Sequence, residues 1–428
     1  MLRPTMTRRR MTLLEAVKRG FDYVDVEYAS DFMDVVMEKS GNGLIVSHHD
    51  LKGMPEDLDG LYAAMVRRGA DIVKLAVTPS GLKDVARLLG LAAKVAAGGG
   101  KRPLIPIALG PYGVLTRVLA GRFAAPFTYA CAAPGAEAGD GQIPAAVMAG
   151  SYRVRQITTR THVYGVLGSD VARSPSPAIH NAAFAARSLD AVYVPLQAAS
   201  LDDFLAALPT LGLSGFSVTR PFKVEILPRL HEVEELAAVS GSVNTVVVQG
   251  AFLRGSSTDG TGVLLPLRKR LDVKGRRAVV IGTGGAARAA ALALKRRGAN
   301  VAVLGRDPAK AASVAAAVGV SHGPIAALPG VAWDVLVNAT PVGSLPAPGE
   351  TPIPSSMIRP GALVFDMVYD PQETRLMREA RTLGCTVIGG LEMLVAQAVP
   401  QFETWTGHEA PVEVMQQAAE AAILEPRG

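Results

Sequence analysis

The sequence predicts an α/β protein, parallel βα units of an open sheet or a (β/α) barrel followed by an α/β region that ends in a Rossmann-type dinucleotide domain. Three observations carry this. Apolar strand-like runs recur roughly every 20 to 30 residues through the first third, the period of parallel βα units. A strand-turn-helix at Ala278–Lys295 leads four apolar residues into Gly282-Thr283-Gly284-Gly285. Composition agrees: 49% apolar and 19% charged residues describe a well-cored chain rich in the small apolar residues of parallel sheets.

In order, the first third offers strands at Tyr23–Tyr28, Leu44–Ser47, Ile72–Val77, Leu104–Ala108 and Phe127–Cys131. Helical patterns at Leu58–Arg68 and Leu82–Ala96 fill the gaps. Pro134–Gly141 reads as a loop before a short helix, and a boundary falls near Thr158. A second unit opens with Tyr164–Leu167, a Ser/Pro turn and a helix at Ala178–Arg187, then strands at Ala191–Val194, Gly215–Val218 and Val243–Gln249. Charged Arg268–Lys274 joins it to the last sheet, with strands at Ala278–Ile281, Asn300–Leu304, Val335–Asn338, Leu363–Met367 and Cys385–Ile388. Amphipathic helices follow from Glu392.

The glycine turn carries chemistry. Its glycines let the backbone bend sharply and let a pyrophosphate approach the first amides of the helix, although such turns are also common structural devices. The next strand ends in Gly305-Arg306-Asp307, and an Arg there favours the extra phosphate of NADP(H) over a free ribose hydroxyl.

Composition excludes other classes. At 428 residues the chain holds two or three domains. Its net charge of +6 is spread out, with Arg8–Arg10 one of several short basic runs far apart in the chain and 5% aromatic residues, which argues against nucleic acid. No apolar run spans a bilayer, and the TRRRM start lacks a secretory core, so no membrane partner is expected. Cys131 and Cys385 cannot build a disulfide framework, which points to a reducing cytoplasm. No metal cluster is expected. The positive excess fits small anionic substrates.

Hydride transfer to a ketone needs a proton donor. Lys223, in Ser217-Val-Thr219-Arg-Pro-Phe-Lys223, is the candidate, with Asp259 of Ser257-Thr258-Asp259-Gly260 as its carboxylate partner. Taken alone, the lysine reads as a surface residue and Asp-Gly as a plain turn; the joint pattern favours the pair. In the first third, Lys74 interrupts an apolar strand and is a candidate imine former, an exposed edge position being the alternative. His48-His49-Asp50 ends the preceding strand, where one of the two imidazoles can face Lys74 and move a proton.

From about residue 161 to 428 the sequence resembles shikimate dehydrogenase. The shared motifs run in order through Ser174-Pro-Ser176, Ser217–Lys223, Ser242-Val-Asn244-Thr245, Thr258-Asp259-Gly260 and Gly282–Ala286, then Asn338-Ala-Thr340, Asp366–Pro371 and Gly389–Gln397. The resemblance implies reduction of 3-dehydroshikimate by NADP(H), with quinate as the alternative substrate and a noncatalytic NADP-binding regulator as the alternative class. It implies that Ser174, Ser176 and Tyr369 hold the substrate carboxylate and that Thr219, Asn244 and Gln397 bind ring hydroxyls. Lys223 and Asp259 would be catalytic. Gly282, Thr283, Gly284, Gly285 and Ala286 would cradle the pyrophosphate, Arg306 and Lys310 meet the 2′-phosphate, and Met367 and Gly390 line the nicotinamide. The alternative is that the two serines simply cap the helix. Ser217 and Ser257 stand where the family usually has Asn, Arg173 where it often has His, and Gly305 where Asn usually precedes the Arg.

The first third resembles type I 3-dehydroquinate dehydratase, through Asp22–Glu27, Val46–Asp50, Ala70–Lys74, Gly113–Arg117 and Gly141-Gln142. By that resemblance Lys74 forms an imine, His49 is the general acid/base, and Arg3, Arg117 and Gln142 grip the substrate. Leu2-Arg3-Pro4-Thr5 reads as the stump of a third barrel strand, Ala138 replaces a usual hydroxyl, and the early acidic and Arg ligands are missing. The expectation is a truncated domain with lost or weak dehydratase activity, which can still serve as a support or a homodimer surface; the alternative is a fully bifunctional chain that keeps both activities. The domains expected are 1–158 for the partial barrel, 159–265 with 392–428 for the substrate domain, and 266–391 for the NADP domain.

Overall fold

The computed structural model describes residues 4–30 and 43–424. The chain forms two compact units, one of residues up to Val163 with Asp190–Leu213, the other of Tyr164–Leu189 with Ser214 onward.

The first unit holds a parallel sheet of β1 (Tyr23–Glu27), β2 (Gly43–Asp50), β3 (Ile72–Val77) and β4 (Leu104–Ala108), in that order. β3 and β4 are buried along their whole length, as strands covered on both faces should be. Helices Leu58–Arg67 and Leu82–Lys94 supply the crossovers. Two expectations fail here. Phe127–Cys131 is no strand: Cys131 makes one isolated bridge to Pro144, while Phe127 and Tyr129 lay their rings over Ile45, Ile72, Ala76, Ile105 and Ile107. Pro126 lacks a ladder donor, and covering this apolar face leaves the segment no extended edge. Pro4-Thr5 opens a helix, Pro4–Lys18, rather than ending a strand. Proline suits a first helical position, and Gly20 at φ 73° follows the end. Arg3 lies outside the described residues.

Also within this unit, β5 (His162–Gly168) begins and β6 (Ala191–Gln197) leads to helix Leu201–Leu211. Asp203 of that helix accepts the Leu82 and Lys83 amides at 2.8 and 2.9 Å, capping Leu82–Lys94, whose own cap position is a side-chain-less glycine.

In the second unit β5 continues, and β7 (Leu213–Val218), β8 (Glu232–Val233), β9 (Thr245–Gln249) and β10 (Phe252–Ser256) complete the order β5-β7-β9-β10-β8. The β9–β10 hairpin escaped the sequence reading. A two-residue turn with Gly250 at φ 62° joins the strands. The last sheet is all parallel, ordered β13-β12-β11-β14-β15-β16. Its strands are β11 (Arg277–Ile281), β12 (Asn300–Gly305), β13 (Ser321–Pro324), β14 (Val335–Asn338), β15 (Leu363–Asp366) and β16 (Thr386–Ile388). The order reverses between β11 and β14, which is where open α/β sheets bind ligands. Apolar layers led by Val280, Val303 and Phe365 on one face, and by Ile281, Leu336 and Val364 on the other, bury the sheet. Among the described residues no helix is long and apolar enough to cross a membrane, and no cluster of His, Cys, Asp and Glu has metal-binding geometry.

Candidate active sites

Lys223 follows β7 in the short helix Phe222–Glu225, and Asp259 is the first residue of helix Asp259–Arg268, just after β10. The fold brings them together. Lys223 Nζ pairs with Asp259 Oδ2, with the lysine side chain 16% and the aspartate 2% exposed. A buried carboxylate needs partners, and it has them. Asn244 Nδ2 lies 2.8 Å from Asp259 Oδ1, 2.9 Å from Thr258 Oγ1 and 3.1 Å from Gln397 Oε1. Asn244 Oδ1 accepts the Thr258 amide at 2.8 Å, and the Thr258 hydroxyl donates to the Gln397 carbonyl at 2.8 Å. Asn244, expected at the ring hydroxyls, therefore also holds the Asp259 carboxylate, and Gln397, expected there too, holds Asn244.

Two participants were not singled out from sequence. Thr258 bridges Asn244 to the helix Gly390–Thr406. Gln401 donates from Nε2 to the Asn244 carbonyl and to Thr245 Oγ1, both at 3.0 Å, and accepts from Ser217 Oγ at 3.1 Å. Its signal was its spacing, four residues after Gln397 and so on the same helix face. Ser217 is thus tied to the helix rather than merely shortened.

Ser174 Oγ accepts the Ser176 amide at 3.2 Å where helix Ser176–Ala186 begins. The cap position itself is Pro175, which has no side-chain cap, so neither serine is the helix cap, and the hydroxyl hydrogen of Ser174 is left to donate. Ser176 is buried, and Thr219 and Tyr369 are half-buried.

The glycine turn sits beside this cluster. Gly282, at φ 128°, bends the chain after β11 against the carbonyl of Ala339. A Cβ on Gly285 would come within 3.0 Å of Lys223 Cβ and 2.5 Å of Ser242 Oγ, so the first turn of helix Gly285–Arg296 abuts the lysine. Nothing lies within 4 Å of a Cβ position on Gly284, and no side chain caps this helix, so its leading amides face open space. Thr283 and Ala286 are half-buried in the same turn. After β12, Asp307 Oδ1 accepts the Ala309 and Lys310 amides at 3.0 and 3.2 Å, which commits the carboxylate to a helix cap. Arg306 and Lys310 are exposed beside it. These features fit a phosphorylated dinucleotide. Gly390 stands against the Met367 backbone, where a Cβ would meet the carbonyl oxygen at 2.4 Å.

The remaining loop motifs of this sheet prove structural. Asn338 Nδ2 donates to Asp366 Oδ1 at 2.9 Å, the Thr340 hydroxyl to Asn338 Oδ1 at 2.7 Å, and Thr374 Oγ1 to Asp366 Oδ2 at 2.6 Å. Burial raises the Asp366 carboxyl above its ordinary range, against these hydrogen bonds.

In the first unit, Lys74 is 8% exposed. Its Nζ lies 2.6 Å from Asp25 Oδ2 and 4.9 Å from the centroid of the Tyr129 ring. The edge-strand alternative is excluded, since β3 is an interior strand. His49 Nδ1 lies 2.6 Å from Glu27 Oε2. Arg117 is 2% exposed and donates to the carbonyls of Ala108 at 2.9 Å, Gly113 at 3.0 Å and Asp140 at 3.4 Å. Burial lowers its pKa to about 10. Gln142 Oε1 accepts the Ala138 amide at 2.9 Å. Lys74 and His49 thus share a sheet face, while Arg117 and Gln142 are held by backbone partners.

Residues 3–159 match the family model of type I 3-dehydroquinase, 166–246 that of the shikimate dehydrogenase substrate binding domain, and 390–420 that of the shikimate 5'-dehydrogenase C-terminal domain. The chain is 36% identical over 431 residues to the bifunctional 3-dehydroquinate dehydratase/shikimate dehydrogenase of Arabidopsis thaliana, covering 95% of this chain and 71% of that protein. It is 40% identical over 259 residues to the NADP(+) shikimate dehydrogenase of Pyrococcus abyssi, covering 60% and 97%. Among solved structures, the Thermus thermophilus shikimate 5-dehydrogenase in complex with NADP(H) and shikimate superposes with a TM-score of 0.57 at 35% identity, over 61% of this chain and all of that one. The quinate dehydrogenase of Corynebacterium glutamicum in complex with NAD gives 0.56 at 33% identity, over 61% and 99%.

Proposed function

Since the chain belongs to the family that joins a type I 3-dehydroquinase domain to a shikimate dehydrogenase, we propose that Lys223 and Asp259 carry its NADP-dependent interconversion of 3-dehydroshikimate and shikimate. The chain is an NADP-dependent oxidoreductase of this family. The observation that supports the assignment of roles is the Lys223–Asp259 ion pair beside the glycine turn.

NADPH, when bound, supplies the hydride. The ketone oxygen gains negative charge as hydride arrives, and the Lys223 ammonium donates a proton to it. Asp259 holds that ammonium and is itself held by Asn244, so the donor is positioned before substrate arrives. In the reverse direction the amine takes the hydroxyl proton. Ser174, Ser176 and Tyr369 receive the substrate carboxylate, and Thr219, Asn244 and Gln397 receive the hydroxyls. Arg306 and Lys310 meet the 2′-phosphate, Gly282–Ala286 the pyrophosphate, and Met367 and Gly390 the nicotinamide. The working division of the chain is 1–158, 159–265 with 392–428, and 266–391. Two buried free cysteines, Cys131 and Cys385, support a reducing, cytoplasmic setting. The test is NADP-linked oxidation of shikimate and of quinate by the purified chain; no turnover with either, despite NADP binding, overturns the reading.

A second reading concerns the first unit. The buried Lys74 and the paired His49 favour imine chemistry on a small carbonyl acid such as 3-dehydroquinate. Borohydride trapping of that compound on Lys74 tests it.

A further inference from the structure

β1 carries two carboxylates, Asp25 and Glu27, that the dehydrogenase does not use. Two residues apart, they lie on one face of the strand. The ladder sets Asp25 opposite Ile45, Glu27 opposite Ser47, and Ser47 opposite Lys74. Asp25, Glu27, Ser47, His49 and Lys74 therefore share a face, the same one that Phe127 and Tyr129 cover.

Each carboxylate serves a different partner. Glu27 holds His49 twice, accepting the backbone amide on Oε1 at 3.2 Å and contacting ring Nδ1 from Oε2 at 2.6 Å. Burial opposes ionisation of Glu27, but the His49 ring, the His49 amide and the nearby histidine charges outweigh it, and the carboxyl stays below its ordinary range. An ionised carboxylate only accepts hydrogen bonds, so Nδ1 carries the proton and Nε2 is the atom left to exchange one. Asp25 Oδ2 lies 2.6 Å from Lys74 Nζ, and its side chain is 34% exposed against 10% for the lysine.

We propose that β1 is the supporting strand of an imine-forming site, with Glu27 as the positioning residue that makes Nε2 the proton-exchanging atom of His49, and Asp25 as the group that takes and returns the Lys74 proton. The inference rests on the imine reading of Lys74. The ammonium gives a proton to Asp25, and the free amine adds to the carbonyl carbon. The resulting carbinolamine regains that proton on oxygen and loses water, leaving a protonated imine. His49 Nε2 then removes a proton from the adjacent carbon, and Glu27 stabilises the imidazolium.

The experiment uses the full chain with 3-dehydroquinate and borohydride, reading the adduct on Lys74 by peptide mass, deuterium wash-in next to the imine by NMR, and the His49 tautomer by ¹⁵N NMR without ligand. Asp25→Asn should slow adduct formation by at least about tenfold, with circular dichroism and shikimate oxidation unchanged. Glu27→Gln should leave adduct formation within about twofold, slow deuterium wash-in by about tenfold or more, and move the His49 signal away from the Nδ1–H form. Wild-type adduct rates in Asp25→Asn, or unchanged wash-in and tautomer in Glu27→Gln, overturn the proposal. If the wild-type chain gives no adduct, the imine reading falls and Asp25's part with it. The ligand-free ¹⁵N spectrum still decides whether Glu27 sets the tautomer.

Discussion

Lys223 and Asp259, 36 positions apart in the chain, form an ion pair whose carboxylate is almost wholly buried. The short helix holding Lys223 follows β7 and the helix starting at Asp259 follows β10, and Asn244 locks the second oxygen of the carboxylate. Lys223→Ala and Asp259→Asn are each expected to lower kcat for NADP-linked shikimate oxidation by about 100-fold or more, with a smaller change in KM. Steady-state kinetics on both variants check this, and near wild-type kcat in Lys223→Ala removes the lysine from the mechanism.

Gln401 answers three buried groups at once, the Asn244 carbonyl and the Thr245 and Ser217 hydroxyls. Gln401→Leu leaves them without that partner. The expected cost is about 2–3 kcal/mol of stability, read by denaturant unfolding, together with a fall in kcat as Asn244 loosens its hold on Asp259.

Arg306 is exposed next to a carboxylate already spent on capping. Arg306→Ala should raise KM for NADP⁺ about 10- to 100-fold while leaving KM for NAD⁺ within about twofold. Equal loss with both cofactors would show that Arg306 supports the fold of the turn instead of reading the 2′-phosphate.

His180 is fully buried among Phe184 and Trp405, and burial lowers its pKa from 6.5 to about 3, against a smaller opposing pull from the Gln401 side-chain oxygen. Below pH 6.5 the unfolded chain binds a proton that the folded chain refuses until about pH 3. Stability should therefore fall with pH through that window by up to about 1.4 kcal/mol per unit, and be independent of this group above it. Comparing unfolding of the wild type and His180→Gln between about pH 5 and about pH 8, a range that brackets the unfolded value, tests the slope. An identical slope in both proteins refutes the assignment.

Much of this protein was readable along the chain. Hydrophobic period placed β3, β4 and β14 to the residue, because parallel strands buried on both faces are mostly apolar and are bounded by turn residues. The sharp turn at Gly282 was legible because local backbone geometry suffices for it. Misreadings came where local pattern competes with packing. Phe127–Cys131 has strand composition, yet its rings are used to cover a sheet face, and β10 was missed after the strand expected at Val243–Gln249 because a two-residue turn leaves little trace. Tertiary structure alone decided the pairings. Asp25 with Lys74, Glu27 with His49, Asn244 with Asp259 and Ser217 with Gln401 join residues on separate strands and helices. Their meeting depends on sheet register and helix packing, and these are set by the burial of whole faces rather than by any neighbouring residue.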